Sequence, residues 1–578
     1  MQKVIRRRAT KTHENFDPSL HPLLQRIYSA RGVRSATELQ YGLAQLLKPN
    51  FKGLPEAVSL LADAVVAQAK VIVVGDFDAD GATSSALAVL ALRAMGLPSV
   101  DFLVPNRFEY GYGLTPEIVA VAAAQQPDII ITVDNGISSL EGVAAAQDLG
   151  IAVVVTDHHL PGAHLPSADA IVNPNQPGCE FPSKNLAGVG VIFYVMNALR
   201  GELREMGWFA ESGIAEPNMA SYLDLVALGT VADVVPLDYN NRILVAQGLA
   251  RMRAGAARPG IRALLEISGR QAQRLVASDL GFALGPRLNA AGRLDDMSLG
   301  IQCLMCDSEN LAREMAQQMD ELNRDRKAIE TGMQQEAMGM LQKVLAADEN
   351  SLPWGVCLFD ETWHQGVIGI LASRIKDKYH RPCIVFADAG DEQIKGSARS
   401  IPGFHIRDAL DAIAARHPEL LQKFGGHAMA AGMSLARADF AAFSHAFDAE
   451  VRRQLTQENL AAIVVSDGEL SGAEFSIELA TQLRTAGPWG QHFPEPVFDG
   501  EFFLIQQKLV GEKHLKMTLA LDAQGQQLVD AIAFNIDPKL WPNANAKKVH
   551  LAYKMDVNEF RGKSSLQLLV DFIETIEV

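Results

Sequence analysis

Thiols are scarce in this sequence and poorly placed for cross-linking. The five cysteines, Cys179, Cys303, Cys306, Cys357 and Cys383, are odd in number, scattered and mostly set in apolar runs. That pattern excludes a disulfide scaffold and points to a reducing compartment. Cys303 and Cys306 have the C-x-x-C spacing, but no second pair completes a zinc site, so packing accounts for both. Long hydrophobic runs are missing too: even Ala86–Leu92 stops at Arg93, far short of a bilayer span. The N-terminal MQKVIRRRATK is basic and lacks the apolar core of a signal peptide, so a cytoplasmic protein is expected. An excess of positive charge is absent as well. The formal net charge of −16 argues against general polyanion binding, while leaving room for a local basic groove and for acids held by metal.

What is present is the composition of a globular enzyme. With 578 residues, 48% hydrophobic and 21% charged, the chain is too long for one core, and roughly two to four domains are expected. The stretch Lys70–Ser85, KVIVVGDFDADGATSS, organises the rest. Val71–Val74 read as a buried strand, Asp76, Asp78 and Asp80 follow at alternate positions, and a helical pattern runs on from Ala82. Three carboxylates therefore crowd the C-terminal end of a strand, where open α/β sheets bind their ligands. Like charges this close raise their own pKa values unless a cation neutralises them. Asp-x-Asp-x-Asp-Gly also opens a calcium loop of the EF-hand kind, but that loop needs Glu where Leu87 stands and a helix where this chain has a strand. An acidic, solvated turn is the plain alternative, and the rest of the chain argues against it.

Further strands are predicted at Val100–Val104, Asp128–Val133, Ile151–Thr156 and Ala170–Val172, with alanine-rich helices separating the four from Val71–Val74 to Ile151–Thr156. This is a parallel α/β sheet. DIIITVDNG ends in Asp134 and Gly136, IAVVVTDHH ends in Asp157, His158 and His159, and LDLVALGTVADVVPL carries Asp233 between two apolar stretches. Singly, each is as well explained by a helix cap or a loop. In a parallel sheet, however, all strand C-termini open on one edge, so the clusters can converge. Carboxylates with imidazoles and no thiolate suit Mg²⁺ or Mn²⁺, and the histidine tilts the choice towards Mn²⁺. The set is large enough for two ions about 4 Å apart, the arrangement used in phosphoester hydrolysis.

The ordered motifs DFDADG, VDNG, DHH and VADVVPL resemble the DHH phosphoesterase superfamily. With PNRFEYGYG, GPRLNAAGRLDD and GGHAMAAG, the chain is similar over nearly its whole length to the single-strand-specific bacterial exonucleases of that superfamily. The resemblance implies that Asp78, Asp80, Asp134, His158 and Asp233 are metal ligands, that Asp134 or Asp233 bridges two ions, and that Asp76 is a ligand or stands near one. It further implies that His159 faces the scissile phosphate and that Asp157 orients its neighbours. Asn106, Arg107 and Tyr112 lie just beyond a strand end; Arg107 suits bidentate phosphate capture and Tyr112 offers a face for an unpaired base. Arg287, Asn289 and Arg293 suit a contact to the strand backbone. Ser397 and Arg399, in KGSARS, resemble a pocket for a 5′ phosphate shared with Arg107. Gly425, Gly426 and His427 resemble a substrate-binding glycine motif.

Five segments are expected. Residues 1–60 read as a helical N-terminal cap, 61–307 as the DHH domain, and 308–350 as one or two connecting helices with a stripe of Met319, Leu322, Ile329, Met333 and Met340. Residues 351–455 restart an α/β pattern that resembles a DHHA1 domain. Residues 460–578 carry about five strands, the pattern of an OB-fold barrel, with Lys508, Lys513, His514, Lys516, Arg561 and Lys563 among Phe502, Phe503, Tyr553 and Phe560. The GKSS at Gly562–Ser565 is no nucleotide-binding loop, since Val557 stands where a glycine is required. The expected function is a two-metal exonuclease, monomeric, degrading single-stranded DNA from its 5′ end to mononucleotides in repair and recombination. The resemblance implies a single-strand-binding protein and a helicase as partners. A small-substrate phosphoesterase acting on oligonucleotides or cyclic dinucleotides is the rival, and the segment beyond residue 460 counts against it. A non-catalytic replication or repair scaffold is the other, and the filled ligand positions count against that.

Overall fold

The computed structural model describes residues 3–9, 16–105, 113–347, 352–421, 423–560 and 562–576. They fall into two compact units, one built from Arg8–Asn323, Asp467–Asp571 and Thr575–Val578, the other from Met1–Arg7, Arg324–Ser466 and Phe572–Glu574. The first strand, β1 (Lys3–Arg7), belongs to the second of these.

The larger unit is built on β2 (Val71–Gly75), β3 (Val100–Leu103), β4 (Ile129–Val133), β5 (Ala152–Thr156) and β6 (Ala170–Val172). Their spatial order is β3-β2-β4-β5-β6 and every pairing is parallel. β2 and β4 are buried at every residue, as β-branched runs covered by helices on both faces must be. The strand order reverses between β2 and β4, so the crevice at their C-terminal ends is the place where such sheets take a ligand. The Ala79–Ala94 helix leaves β2 with Asp78 as its N-cap and is almost wholly buried, packed against the Gly188–Glu205 and Leu223–Ala232 helices. Small residues at Ala82, Ala86, Ala88 and Ala91 permit that close approach.

Two strands of the smaller unit's sheet are β7 (Val356–Phe359) and β8 (Cys383–Gly390), which run parallel. β9 (Gln393–Arg399), β10 (Lys423–Gly426) and β11 (Ala430–Ala436) extend the sheet antiparallel, in the order β10-β11-β9-β8-β7. Its core is aromatic, with Phe386, Phe443 and Phe447 fully buried. β12 (Ala462–Ser466) closes this unit by pairing in parallel with β1. Among the described residues of 1–60 the first element is a strand, followed by the α-helix Pro22–Ala30, 3-10 turns at Ala36–Leu39 and Leu43–Gln45, and the start of the Leu54–Ala67 helix. The region 308–350 gives one helix, Glu309–Ala347.

Five strands form a closed barrel in the larger unit: β13 (Phe498–Val510), β14 (His514–Ala520), β15 (Leu528–Ala533), β16 (Lys548–Phe560) and β17 (Lys563–Ile576). The order β13-β14-β15-β17-β16, with β15 and β17 parallel, leaves no open edge. The interior holds Phe498, Phe502, Met517, Leu551, Tyr553 and Leu568. Phe502 and Tyr553 are thus core residues, packed edge to face at 5.5 Å, and not faces for unpaired bases. Arg31 braces the barrel's approach segment: its guanidinium makes two 2.9 Å bonds to Asp467, and both side chains are buried. Among the described residues, no helix is long and apolar enough to cross a membrane.

Candidate metal centre and strand-binding site

Four segments deliver polar side chains to the crevice at the C-terminal ends of β2, β4 and β5. The turn after β2 is held by its own acids: Asp76 accepts from the Phe77 amide at 2.7 Å, and Asp78 from the amides of Asp80 and Gly81 at 2.9 and 3.1 Å. Asp80 is buried, and its two carboxylate oxygens accept from Gly188 (2.6 Å) and Val189 (3.0 Å) in the first turn of the Gly188–Glu205 helix. Those amides and the helix dipole favour a negative charge there.

Asp134 follows β4 with φ of +61°, a left-handed placement that a non-glycine residue adopts only under constraint. The constraint comes from Asn135, whose amide spans to the carbonyls of Val74 (3.1 Å) and Val133 (2.9 Å) and so ties the ends of β2 and β4 together. After β5, Asp157 accepts from the amides of His158 (2.7 Å), His159 (3.1 Å) and Ile137 (2.9 Å), and lies 2.8 Å from His159 Nδ1. Its expected role, orienting its neighbours, matches these contacts. His158 Nε2 stands 3.1 Å from Asp134 Oδ1 and 3.5 Å from Asp233 Oδ2.

Asp233 departs from expectation in its origin. It caps the C-terminus of the Leu223–Ala232 helix and does not end a strand. The residue after it, Val234, has φ of +61°, strained for a β-branched side chain. Three overlapping groups result, each with ligand atoms within 4.8 Å of one another: Asp134, His158 and His159; Asp80, His158 and Asp233; Asp76, Asp78 and Asp134. All seven residues named for the centre are thus brought together.

The electrostatics of such a crowd follow from burial and mutual repulsion. Burial, then the charge of Asp78, pushes Asp80 up to about 7. Burial and the neighbouring carboxylates hold Asp134 and Asp233 well above the usual carboxylate range. For His159, burial opposes the charged form, but the hydrogen bond to Asp157 and the surrounding acids outweigh it and push the imidazole up to about 9. Oxygen and imidazole donors without thiolate, mutually repelling and within one ion's reach, fit hard divalent cations of the Mg²⁺ or Mn²⁺ type.

The other expected site residues are more scattered. Asn106, Arg107 and Tyr112 lie outside the described residues. Asn289 accepts from the Ala79 amide at 2.8 Å, which makes it a brace for the acidic turn. Arg287 is bonded to Asp320 at 2.9 Å and to the Ala283 carbonyl at 2.6 Å, so its charge is already matched inside the protein. Arg293 is half-buried on the same helix, Gly285–Leu294.

In the smaller unit, Arg399 Nη1 reaches Ser397 Oγ at 3.1 Å, and burial lowers the Arg399 pKa. A Cβ on Gly369 would sit 2.9 Å from both Arg399 Nη2 and Ser397 Oγ, so the pair lies against the first turn of the Ile368–Tyr379 helix. An arginine, a hydroxyl and a helix N-terminus are groups of the kind that hold anions. Gly426, with φ of +144°, and His427, whose amide bonds the Ala430 carbonyl at 2.8 Å, form the turn between β10 and β11.

Reading the sequence missed the supports. Asn173 and Asn175 hold the carbonyls of His159 (3.0 Å) and His158 (2.6 Å), and the available signal was NPN directly after a predicted strand. Gly188 was missed as well: a Cβ there would fall 2.6 Å from that of Asp134.

Comparison with known proteins finds three family matches along the chain. Residues 70–230 match the DHH family, N-terminal domain; residues 351–453 match the DHHA1 domain; residues 466–571 match the RecJ OB domain. The chain is 58% identical over 570 residues to the single-stranded-DNA-specific exonuclease RecJ of Dickeya dadantii, covering 98% of each. The crystal structure of Thermus thermophilus RecJ with Mn²⁺ superposes with a TM-score of 0.79 at 29% identity, over 97% of this chain and 76% of that one. The Mg²⁺ complex of the same protein gives 0.72 at 28% identity, over 97% and 75%. With three domain matches in order, a relative alike from end to end and a cluster of donors suited to the ions those structures hold, the chain belongs to the RecJ family.

Proposed function

We propose that this chain is a metal-dependent exonuclease that hydrolyses single-stranded DNA from its 5′ end, releasing 5′ mononucleotides. The observation that carries the reading is the convergence of Asp76, Asp78, Asp80, Asp134, His158, His159 and Asp233 on one crevice. Asp78, Asp80, Asp134, His158 and Asp233 would hold two Mn²⁺ or Mg²⁺ ions, with Asp76 beside them. Bound there, the ions supply charge neutralisation at the scissile phosphate and a lowered pKa for the attacking water. The protein's own groups supply position: Asp157 fixes the His159 ring, which presents a donor to the phosphate oxygens, and Asn289 and Gly188 hold the acids in register.

Ser397 and Arg399 would receive the terminal 5′ phosphate and so set the polarity. The DHH, DHHA1 and OB segments correspond in this reading to 61–307, 351–455 and 460–578. A cytoplasmic role in repair and recombination follows, with a single-strand-binding protein and a helicase as partners of a monomer.

One strand labelled in turn at each end, digested with Mn²⁺, tests the reading. Early release of the 5′ label as a mononucleotide is expected. Release from the 3′ end first would overturn the polarity, and an intact strand would overturn the nuclease. Arg399→Ala should narrow the preference for 5′-phosphorylated over 5′-hydroxyl strands by about tenfold, the worth of one charge-assisted contact; an unchanged preference removes Arg399 from the pocket.

A further inference from the structure

A cavity of about 520 Å³ lies in the larger unit beside the metal centre, lined by Thr230–Ala232, Val234, Phe282 and Trp489, with Arg253, Arg484, Lys554 and Glu495 among its walls. Nothing in the reading above uses it. Its volume is in the range of small-ligand sites, roughly 300–1,000 Å³. Three features mark it as more than a packing defect. Val234, with its strained backbone, lines it, and the residue before it is Asp233 of the metal centre. The Leu223–Ala232 helix therefore faces the centre at Gly229, whose Cβ would meet Asp80 Oδ1 at 2.7 Å, and the cavity at Thr230 and Val231.

The second feature is Phe282, which is 83% exposed at the middle of a π-helical turn, Leu280–Leu284. Turns of that kind recur at functional sites, because they push a side chain out of the helical stack. The exposed ring offers a free apolar face at the cavity wall.

The third is charge. Lys554 is matched by Glu495 at 3.0 Å; Arg253 and Arg484 line the same cavity, Arg484 reaching the Arg274 carbonyl at 3.5 Å and feeling the charge of Asp556. Burial, then the charge of Arg484, holds the Arg253 guanidinium below its usual value, and the acid that opposes this, Asp279, is already paired with Arg270 at 3.2 Å. Arg253 Nε is bonded to the Leu275 carbonyl at 2.8 Å, which fixes its orientation. Two guanidiniums and an exposed aromatic ring lining one cavity suit a ligand with an anionic group and a flat apolar face.

We propose that this cavity takes one nucleotide of the single strand, downstream of the cleaved end, with its base on Phe282 and its phosphodiester at Arg253 and Arg484. The inference rests on the exonuclease reading for its source of nucleotides. A nucleotide tethered to one already at the metal centre arrives at high effective concentration, so modest contacts suffice to hold it. Base stacking on an aromatic ring is worth about 1–3 kcal/mol and tolerates any sequence, as a nuclease requires.

The test uses the full chain with Mn²⁺ and 5′-phosphorylated strands of two to twenty nucleotides. Phe282→Ala and Arg484→Ala should each raise KM for the 20-mer about tenfold with kcat unchanged, the effect should vanish below one strand length, and Phe282→Trp should restore KM. Equal loss at every length, or no loss at any, would overturn the proposal while leaving the exonuclease reading intact. A wild-type protein that cleaves none of them would sink both. Strands carrying 5-iododeoxyuridine at successive positions supply a readout independent of folding: one position should photocrosslink to the peptide containing Phe282. Crosslinking by free 5-iododeoxyuridine monophosphate alone would assign the cavity to a mononucleotide and defeat the strand.

Discussion

Asp80 shows what a single residue is asked to do here. It accepts two backbone amides while standing within reach of Asp78, His158 and Asp233, so it both anchors the Gly188–Glu205 helix and shares the charge of the centre. Asp80→Asn removes one acceptor and one charge. The lost hydrogen bond costs about 1 kcal/mol, but relief of repulsion among crowded carboxylates offsets it, so the metal-free protein should melt within a few degrees of wild type. Turnover should fall by roughly a thousandfold or more, the scale at which metal-assisted charge stabilisation operates. Single-turnover digestion beside a thermal melt separates the two effects; undiminished turnover would remove Asp80 from the centre. At this scale the sequence was informative wherever the cause is local. Asp76, Asp78, Asp134 and His158 follow strands that their own β-branched runs announce. Arg287 was opaque, because its partner Asp320 comes from a different helix and no pattern in GPRLNAAGR points to it.

Elements hold one another through close approaches and through buried charge. A Cβ at Gly229 would fall 2.2 Å from Thr83 Oγ1 and 2.7 Å from Asp80 Oδ1. Gly229→Ala should therefore cost about 1–3 kcal/mol of stability by overpacking, and activity should drop with it as Asp80 is displaced; a denaturant melt and a nuclease assay on the same sample check both. In the smaller unit, Glu450 is fully buried in the Phe440–Gln454 helix, which it joins to the Ile406–Arg416 helix through Arg416, while Arg453 of its own helix pairs with it at 2.6 Å. Burial favours the neutral acid, but the hydrogen bonds from Arg453, Arg416 and Gln454 outweigh it and hold Glu450 down to about 2. Because the folded pKa is depressed, the contribution is complete above the ordinary value of 4.5 and lost as pH falls towards 2. Glu450→Gln should lower the melting temperature at pH 7 and flatten its dependence on pH between those values. An acid limb as steep as wild type would show that other carboxylates set it.

The whole molecule carries its metal centre at a cost to the metal-free fold. Several buried carboxylates held above their ordinary range are a strain that divalent ions relieve, so ligand binding becomes folding free energy. Mn²⁺ at about a hundred times its dissociation constant should add roughly 2.7 kcal/mol of stability, seen as a rise in melting temperature that EDTA reverses. Asp134→Asn should abolish most of that rise, because Asp134 belongs to two of the three donor groups. A shift that survives the substitution would place the ions elsewhere.

The sequence by itself determined the parallel sheet, the order of its motifs and the chemistry of the donors, because strand periodicity and the residues at strand ends are properties of short stretches of chain. Tertiary structure decided whatever depends on a partner distant along the chain. It made Asp233 the end of a helix, since an apolar run such as LDLVALGTVA suits strand or helix until its neighbours are known. It made Lys3–Arg7 a strand, since the paired segment Ala462–Ser466 lies more than four hundred residues away. It turned Phe502 and Tyr553 inwards, since only closure of the barrel assigns a face to each residue. And it set an arginine-lined cavity next to Asp233 out of residues that no local pattern connects.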